Sequence, residues 1–131
     1  MSDRYHDIRD AVRDLCRQFT DAYHREIDAR RGYPEAFVDA VASAGWMAAL
    51  IPSEYGGSGL GLAEASVIME EINRSGGNSA ACHGQMYNMN TLLRHGSEQQ
   101  KAFYLPRIAS GEWRLQSMGE PSRQLAPTPR R

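Results

Sequence analysis

The sequence predicts an all-α protein, a helical bundle of about five helices. Apolar residues recur at three- and four-residue steps through most of the chain, and glycines at 32, 45, 76, 77 and 96 punctuate those periodic stretches. Only one apolar run, residues 46–52, has strand character, and no second run exists for it to pair with.

The first helix is expected over residues 3–27, where Ile8, Ala11, Val12, Leu15, Cys16, Phe19, Ala22 and Tyr23 form one apolar stripe. Asp3, Asp7 and Asp10 crowd its N-terminal end, where negative charge interacts favourably with the helix dipole. Gly32 breaks the pattern, and Pro34 suits the first position of a second, short helix that buries Phe37, Val38, Val41 and Ala44 and ends at Gly45. Residues 46–52 read as a buried connector and residues 53–61, with four glycines, as a loop. A third helix is expected over 62–74, with Ala65, Ile68, Met69 and Ile72 inward. The fourth spans roughly 79–94 with Asn78 as N-cap and Gly96 just past its end, and its stripe is Cys82, Met86, Met89 and Leu93. Ser97 and Gln100 have capping-box spacing and open a fifth helix, which Pro106 is expected to kink or restart. Trp113 to Met118 reads as extended. Residues 1–119 are expected to form the domain, with a disordered tail over 120–131 that carries Pro121, Pro127 and Pro129.

Composition narrows the function classes. With 131 residues, 41% apolar and 24% charged, the chain suits one globular domain. No window approaches the ~18 apolar residues of a membrane span, and the charge-rich N-terminal stretch excludes a signal-peptide core, so a cytoplasmic location is expected. Lys101 is the only lysine among the 15 basic residues, and the arginines of the first helix alternate with acids, which argues against nucleic-acid binding. Cys16 and Cys82 lie far apart with no Cys or His at ligand spacing, and read as two buried thiols.

Three motifs invite function. The glycines of Glu54-Tyr55-Gly56-Gly57-Ser58-Gly59-Leu60-Gly61 suggest a nucleotide loop, but a dinucleotide fingerprint needs Gly or Ala where Leu62 or Glu64 stands, and no strand precedes it. Their expected role is geometric, permitting positive φ and a tight passage between helices. His6, His24, His83 and His95 show no pair at ligand spacing and read as structural or surface residues, with His83 the exception because it shares a helix with small residues. The stretch Gly76-Gly77-Asn78-Ser79-Ala80-Ala81-Cys82-His83-Gly84 carries little side-chain volume. It reads either as close helix packing or as a slot for an elongated apolar ligand, with Met86 and Tyr87 as adaptable walls.

Four phrases occur in order: Leu50-Ile51-Pro52-Ser53-Glu54-Tyr55-Gly56-Gly57-Ser58-Gly59; Met69-Glu70-Glu71-Ile72; Gly96-Ser97-Glu98-Gln99-Gln100-Lys101 with Tyr104-Leu105-Pro106; and Ala109-Ser110-Gly111-Glu112. Together they make the chain resemble the N-terminal helical domain of the acyl-CoA dehydrogenase family. That resemblance implies an oligomeric FAD enzyme that removes two hydrogens from the α and β carbons of an acyl-CoA. In that family the catalytic base and much of the flavin site belong to later domains, so no catalytic residue is expected here. It implies an acyl pocket touched by Ser79, His83, Met86 and Tyr87, and a flavin-facing segment of Ser117, Met118, Gly119, Glu120, Pro121 and Ser122. The chain departs from the family where a hydroxyl residue is expected before Glu120-Pro121, and where Arg123 to Pro127 replace a Gly-Ser-Asp type continuation. The expectation is therefore a truncated or frameshifted member, inactive alone, that self-associates or docks on a full-length relative. A related flavin monooxygenase domain and a non-catalytic helical interaction module are the alternative readings.

Overall fold

The computed structural model describes residues 5–115, which form six α-helices and, among the described residues, no strand. The helices are α1 (His6–Cys16), α2 (Asp21–Ala29), α3 (Glu35–Ser43), α4 (Leu62–Arg74), α5 (Ala80–His95) and α6 (Glu98–Ala109), with single 3-10 turns at Trp46–Ala48 and Ser53–Tyr55. The expectations for Met1 to Arg4, and for Gln116 onward, lie outside the described residues.

The long first helix of the sequence reading is two helices. Gln18 and Phe19 donate their amides to the Leu15 and Cys16 carbonyls at 3.2 and 3.0 Å, a tightened last turn. Thr20 is then extended, and its hydroxyl accepts from the Tyr23 amide at 3.3 Å, so it caps a new helix. The apolar period crosses the break undisturbed because Phe19 and Tyr23 both pack into one cluster, with Phe19 edge-on to Tyr23 at 5.2 Å and to Phe37 at 5.3 Å. Periodicity reports which side is buried, and says nothing about backbone continuity.

Helix ends were predicted with mixed success. After α2 the left-handed residue is Arg31, with φ 51°, and Gly32 follows it, donating its amide to the Ile27 carbonyl at 2.9 Å. Pro34 occupies the N-cap of α3, one position earlier than expected, and has no side chain to cap with. The Tyr23 hydroxyl serves instead, accepting from the Phe37 amide at 3.3 Å. Helix α5 begins at Ala80, with Ser79 at the cap and the Asn78 side chain accepting from the Ala80 amide at 2.9 Å. Gly96 is extended rather than left-handed; its amide donates to the Leu92 carbonyl at 2.8 Å and the chain passes straight to Ser97. The capping box of α6 is present: the Gln100 amide donates to the Ser97 hydroxyl at 3.1 Å, and the Ser97 amide to the Gln100 side chain at 2.9 Å. Pro106 lies inside α6 without ending it.

The connector of residues 46–52 is buried at Met47, Ala48, Ala49 and Ile51, as its sequence suggests. The glycine loop folds back over it, and the amides of Ser58, Gly59 and Leu60 donate to the carbonyls of Ala48, Ile51 and Ala49 at 3.3, 2.8 and 2.7 Å. The loop therefore satisfies a buried backbone that no sheet serves. Gly57 makes this possible, since a Cβ there would stand 2.0 Å from the Ile51 carbonyl oxygen.

Two apolar clusters result. One gathers Val12, Cys16, Phe37, Val38, Val41, Ile68, Ile72, Cys82 and Met86; the other joins Ala48, Ile51, Met89, Leu105 and Ile108. Helix α5 contributes to both and ties them together. Glu71 is 1% exposed between α4 and α1, where Arg13 donates to both of its oxygens at 2.9 and 3.1 Å and Arg9 to one at 2.9 Å. Burial pushes the Glu71 carboxyl up, but hydrogen bonds from Arg13 and Arg9, with the nearby charges of Arg13 and Arg74, outweigh it and hold the group below the usual carboxylate range. No helix among the described residues is long and apolar enough to cross a membrane.

Candidate functional site

Helix α5 brings His83, Met86, Tyr87 and Asn90 to one face by their spacing of three, four and seven residues. Helix α4 lays Leu62, Ala65 and Met69 beside that face, again at helical spacing, and Leu50 of the connector completes the lining. These eight residues line a groove of about 220 Å³. Ala65 and Met86 are buried at its base, at 2% and 3% exposure, while Leu62 stands 64% exposed at its rim. The His83 and Tyr87 rings meet edge to face, with centroids 5.3 Å apart, and form part of the wall.

The groove suits an apolar ligand. No Asp, Glu, Lys or Arg lines it, and the two thioethers of Met69 and Met86 adapt to irregular apolar shapes. Its volume lies below the ~300–1,000 Å³ of pockets that enclose a whole small molecule. The described residues thus offer one wall, and Leu62 marks where contact with a ligand or a second wall would remove apolar surface from water.

Three of the four predicted pocket positions, His83, Met86 and Tyr87, come together here. Ser79 does not line the groove; it stands one turn earlier, its carbonyl accepting from the His83 amide at 2.8 Å and its amide donating to the Asn73 side chain at 3.3 Å. Sequence reasoning missed Leu50, Leu62 and Asn90 as groove residues and placed Ala65 and Met69 only in the core. The three-residue and four-residue steps from Leu62 to Met69 carried the signal for α4. Ser117, Met118, Gly119, Glu120, Pro121 and Ser122 lie outside the described residues.

The other hollows carry different chemistry. One of about 410 Å³ between the ends of α1 and α4 is walled by Arg13, Arg17, Arg74, Asp21 and Glu71, charges of both signs. His24 packs edge-on against Tyr23 and Phe37 at 5.2 and 5.3 Å, and His6 pairs with Asp10 at 2.9 Å on the surface. Burial pushes the Cys82 thiol up to about 12. Burial also raises the Cys16 thiol, against a hydrogen bond with Ser75 that lowers it. Both shifts favour the neutral thiol over the thiolate. A flavin dinucleotide does not fit the described groove, which lacks both the volume and any cation to meet a pyrophosphate.

Comparison with known proteins adds an independent line. The model of the acyl-CoA dehydrogenase N-terminal domain matches residues 2–112. The chain is 32% identical over 117 residues to the mitochondrial isovaleryl-CoA dehydrogenase of Pongo abelii, an alignment covering 86% of this chain and 28% of that protein. The rice protein of the same name, from Oryza sativa subsp. japonica, is 48% identical over 63 residues, 47% of this chain and 15% of that one. A probable acyl-CoA dehydrogenase of Mycobacterium tuberculosis is 29% identical over 112 residues, covering 84% of this chain and 28% of the relative. The matched stretch spans no more than 28% of the length of these three relatives.

Proposed function

The chain belongs to the acyl-CoA dehydrogenase family, of which it carries the N-terminal domain, and from that premise we propose that residues 1–131 supply one wall of an acyl-CoA groove and are catalytically inactive by themselves. The observation that carries this reading is the groove between α4 and α5, lined mainly by apolar side chains with no Asp, Glu, Lys or Arg, and bordered by the exposed Leu62. His83, Met86 and Tyr87 would touch the acyl chain, with Leu62 and Met69 facing them and Ser79, at the N-cap of α5, one turn before His83. The relatives' name makes the isovaleryl group the first acyl group to test.

We place the flavin side of the reaction at Ser117, Met118, Gly119, Glu120, Pro121 and Ser122, acting with protein surface that residues 1–131 do not supply. This rests on the register of those residues after Ala109-Ser110-Gly111-Glu112. FAD is thus the cofactor of the assembled site, and the domain's part is to bind and orient the acyl group. Association with a second copy or a full-length relative would supply the missing wall.

Leu62 offers a clean test because it is exposed and opens helix α4, where an acid is tolerated by the helix dipole. Calorimetric titration is expected to show isovaleryl-CoA binding more tightly than free CoA, and Leu62→Asp is expected to shrink that difference roughly tenfold, as loss of one apolar contact of ~1–2 kcal/mol predicts. Equal affinity of the wild type for CoA and its thioester would contradict the groove assignment. Turnover of the thioester by the chain supplied with FAD alone would contradict its inactivity.

A further inference from the structure

We propose that Gln85 is a positioning residue, fixing the direction and register of residues 113–115, which directly precede in sequence the segment assigned above to the flavin. Gln85 is polar and only 2% exposed, a costly placement unless its amide is fully used. Its side-chain nitrogen donates to the Trp113 carbonyl at 3.1 Å, and its oxygen accepts from the Leu115 amide at 2.7 Å. The two bonds fix the amide orientation, because swapping oxygen and nitrogen would set donor against donor and acceptor against acceptor. The Trp113 carbonyl and Leu115 amide are paired as the N–H and C=O of one residue in a neighbouring parallel strand would pair them, although no strand is present among the described residues. A clamp of this kind fixes both the direction and the register of residues 113–115.

Its place on α5 gives the clamp a role in function. Gln85 is two residues from both His83 and Tyr87, so at about 100° per residue it points to roughly the opposite side of the helix. One rigid helix therefore carries the acyl wall on one face and anchors the outgoing chain on the other. Residues 113–115 are thereby held at a point set relative to the groove. The catalytic consequence rests on the function proposed above; the clamp itself does not.

The segment has other ties: Arg114 pairs with Asp39, the Trp113 amide donates to the Arg107 carbonyl at 3.1 Å, and the Trp113 ring lies 5.7 Å from Tyr104. Removing the clamp should therefore loosen residues 113–115 without unfolding the bundle. Residue-resolved hydrogen exchange on the 131-residue chain tests this. In Gln85→Met the Leu115 amide is expected to exchange roughly tenfold faster, as loss of a buried hydrogen bond predicts, while amides of α5 and α6 keep wild-type rates. Gln85→Glu keeps an oxygen for that amide and is expected to restore part of the protection. A packing role alone gives the reverse order, since Met fills an apolar site better than Glu. Unchanged Leu115 exchange in Gln85→Met, or equal loss of protection along α5 in both variants, would overturn the proposal. The measurement needs no ligand, so failure of thioester binding would count against the proposed function and leave Gln85 standing, and the converse also holds.

Discussion

Glu71 shows how one residue joins sequence, structure and pH. Its sequence neighbours, Glu70 and Ile72, mark it only as part of an amphipathic helix, yet it is buried and held by Arg9 and Arg13 from another helix. Replacing it by Gln leaves two guanidinium groups facing a neutral amide. Because 37% of the Arg13 side chain stays in solvent, the expected loss is about 2–3 kcal/mol, at or below the low end of the ~3–5 kcal/mol for breaking a fully buried pair. The folded carboxyl has the lower proton affinity, so its stabilisation is complete above the unfolded value near pH ~4.3 and fades as pH falls through the lower folded value. Denaturant titrations of wild type and Glu71→Gln should therefore differ most near neutral pH and converge in acid. A gap that persists undiminished at low pH would show that the ion pair is not its source.

At the scale of elements, what the sequence made legible were the features with a local cause. The capping box of α6 is spelled by Ser97 and Gln100, and both hydrogen bonds form. Ser97→Ala is expected to cost about 1 kcal/mol and to raise exchange in the first turn of α6 ahead of the other helices, as amide exchange would record. Helix α4 was equally legible, since Ala65, Ile68, Met69 and Ile72 keep one period through it. The break between α1 and α2 was not, because Phe19 and Tyr23 continue the apolar stripe through it and Thr20 alone marks the restart. The cap of α3 was also hidden, being a tyrosine hydroxyl 14 residues upstream of the amide it accepts from. Gly96 misled for a related reason: tight approach to the Leu92 carbonyl, where a Cβ would stand 2.6 Å away, leaves room for glycine without a left-handed turn.

For the whole molecule, the all-helical class and half of the groove were readable in advance. The small residues before His83 and the adaptable Met86 and Tyr87 pointed to α5, but the opposing wall depends on how α4 and the connector dock against it. Docking is a tertiary fact that helical periodicity leaves open, which is why Leu50, Leu62 and Asn90 were missed. Ser79 was included because family register runs along the helix, whereas groove lining depends also on which neighbour covers each turn.

Methionine methyl resonances probe the resulting picture directly. Met69 and Met86 line the groove, while Met47 and Met89 are buried in the two cores, at 5% and 0% exposure. On addition of isovaleryl-CoA, with free CoA as reference, the Met69 and Met86 methyl signals are expected to shift and those of Met47 and Met89 to hold still. Still Met69 and Met86 signals at saturating thioester, or shifts of equal size at all four positions, would contradict an acyl wall between α4 and α5.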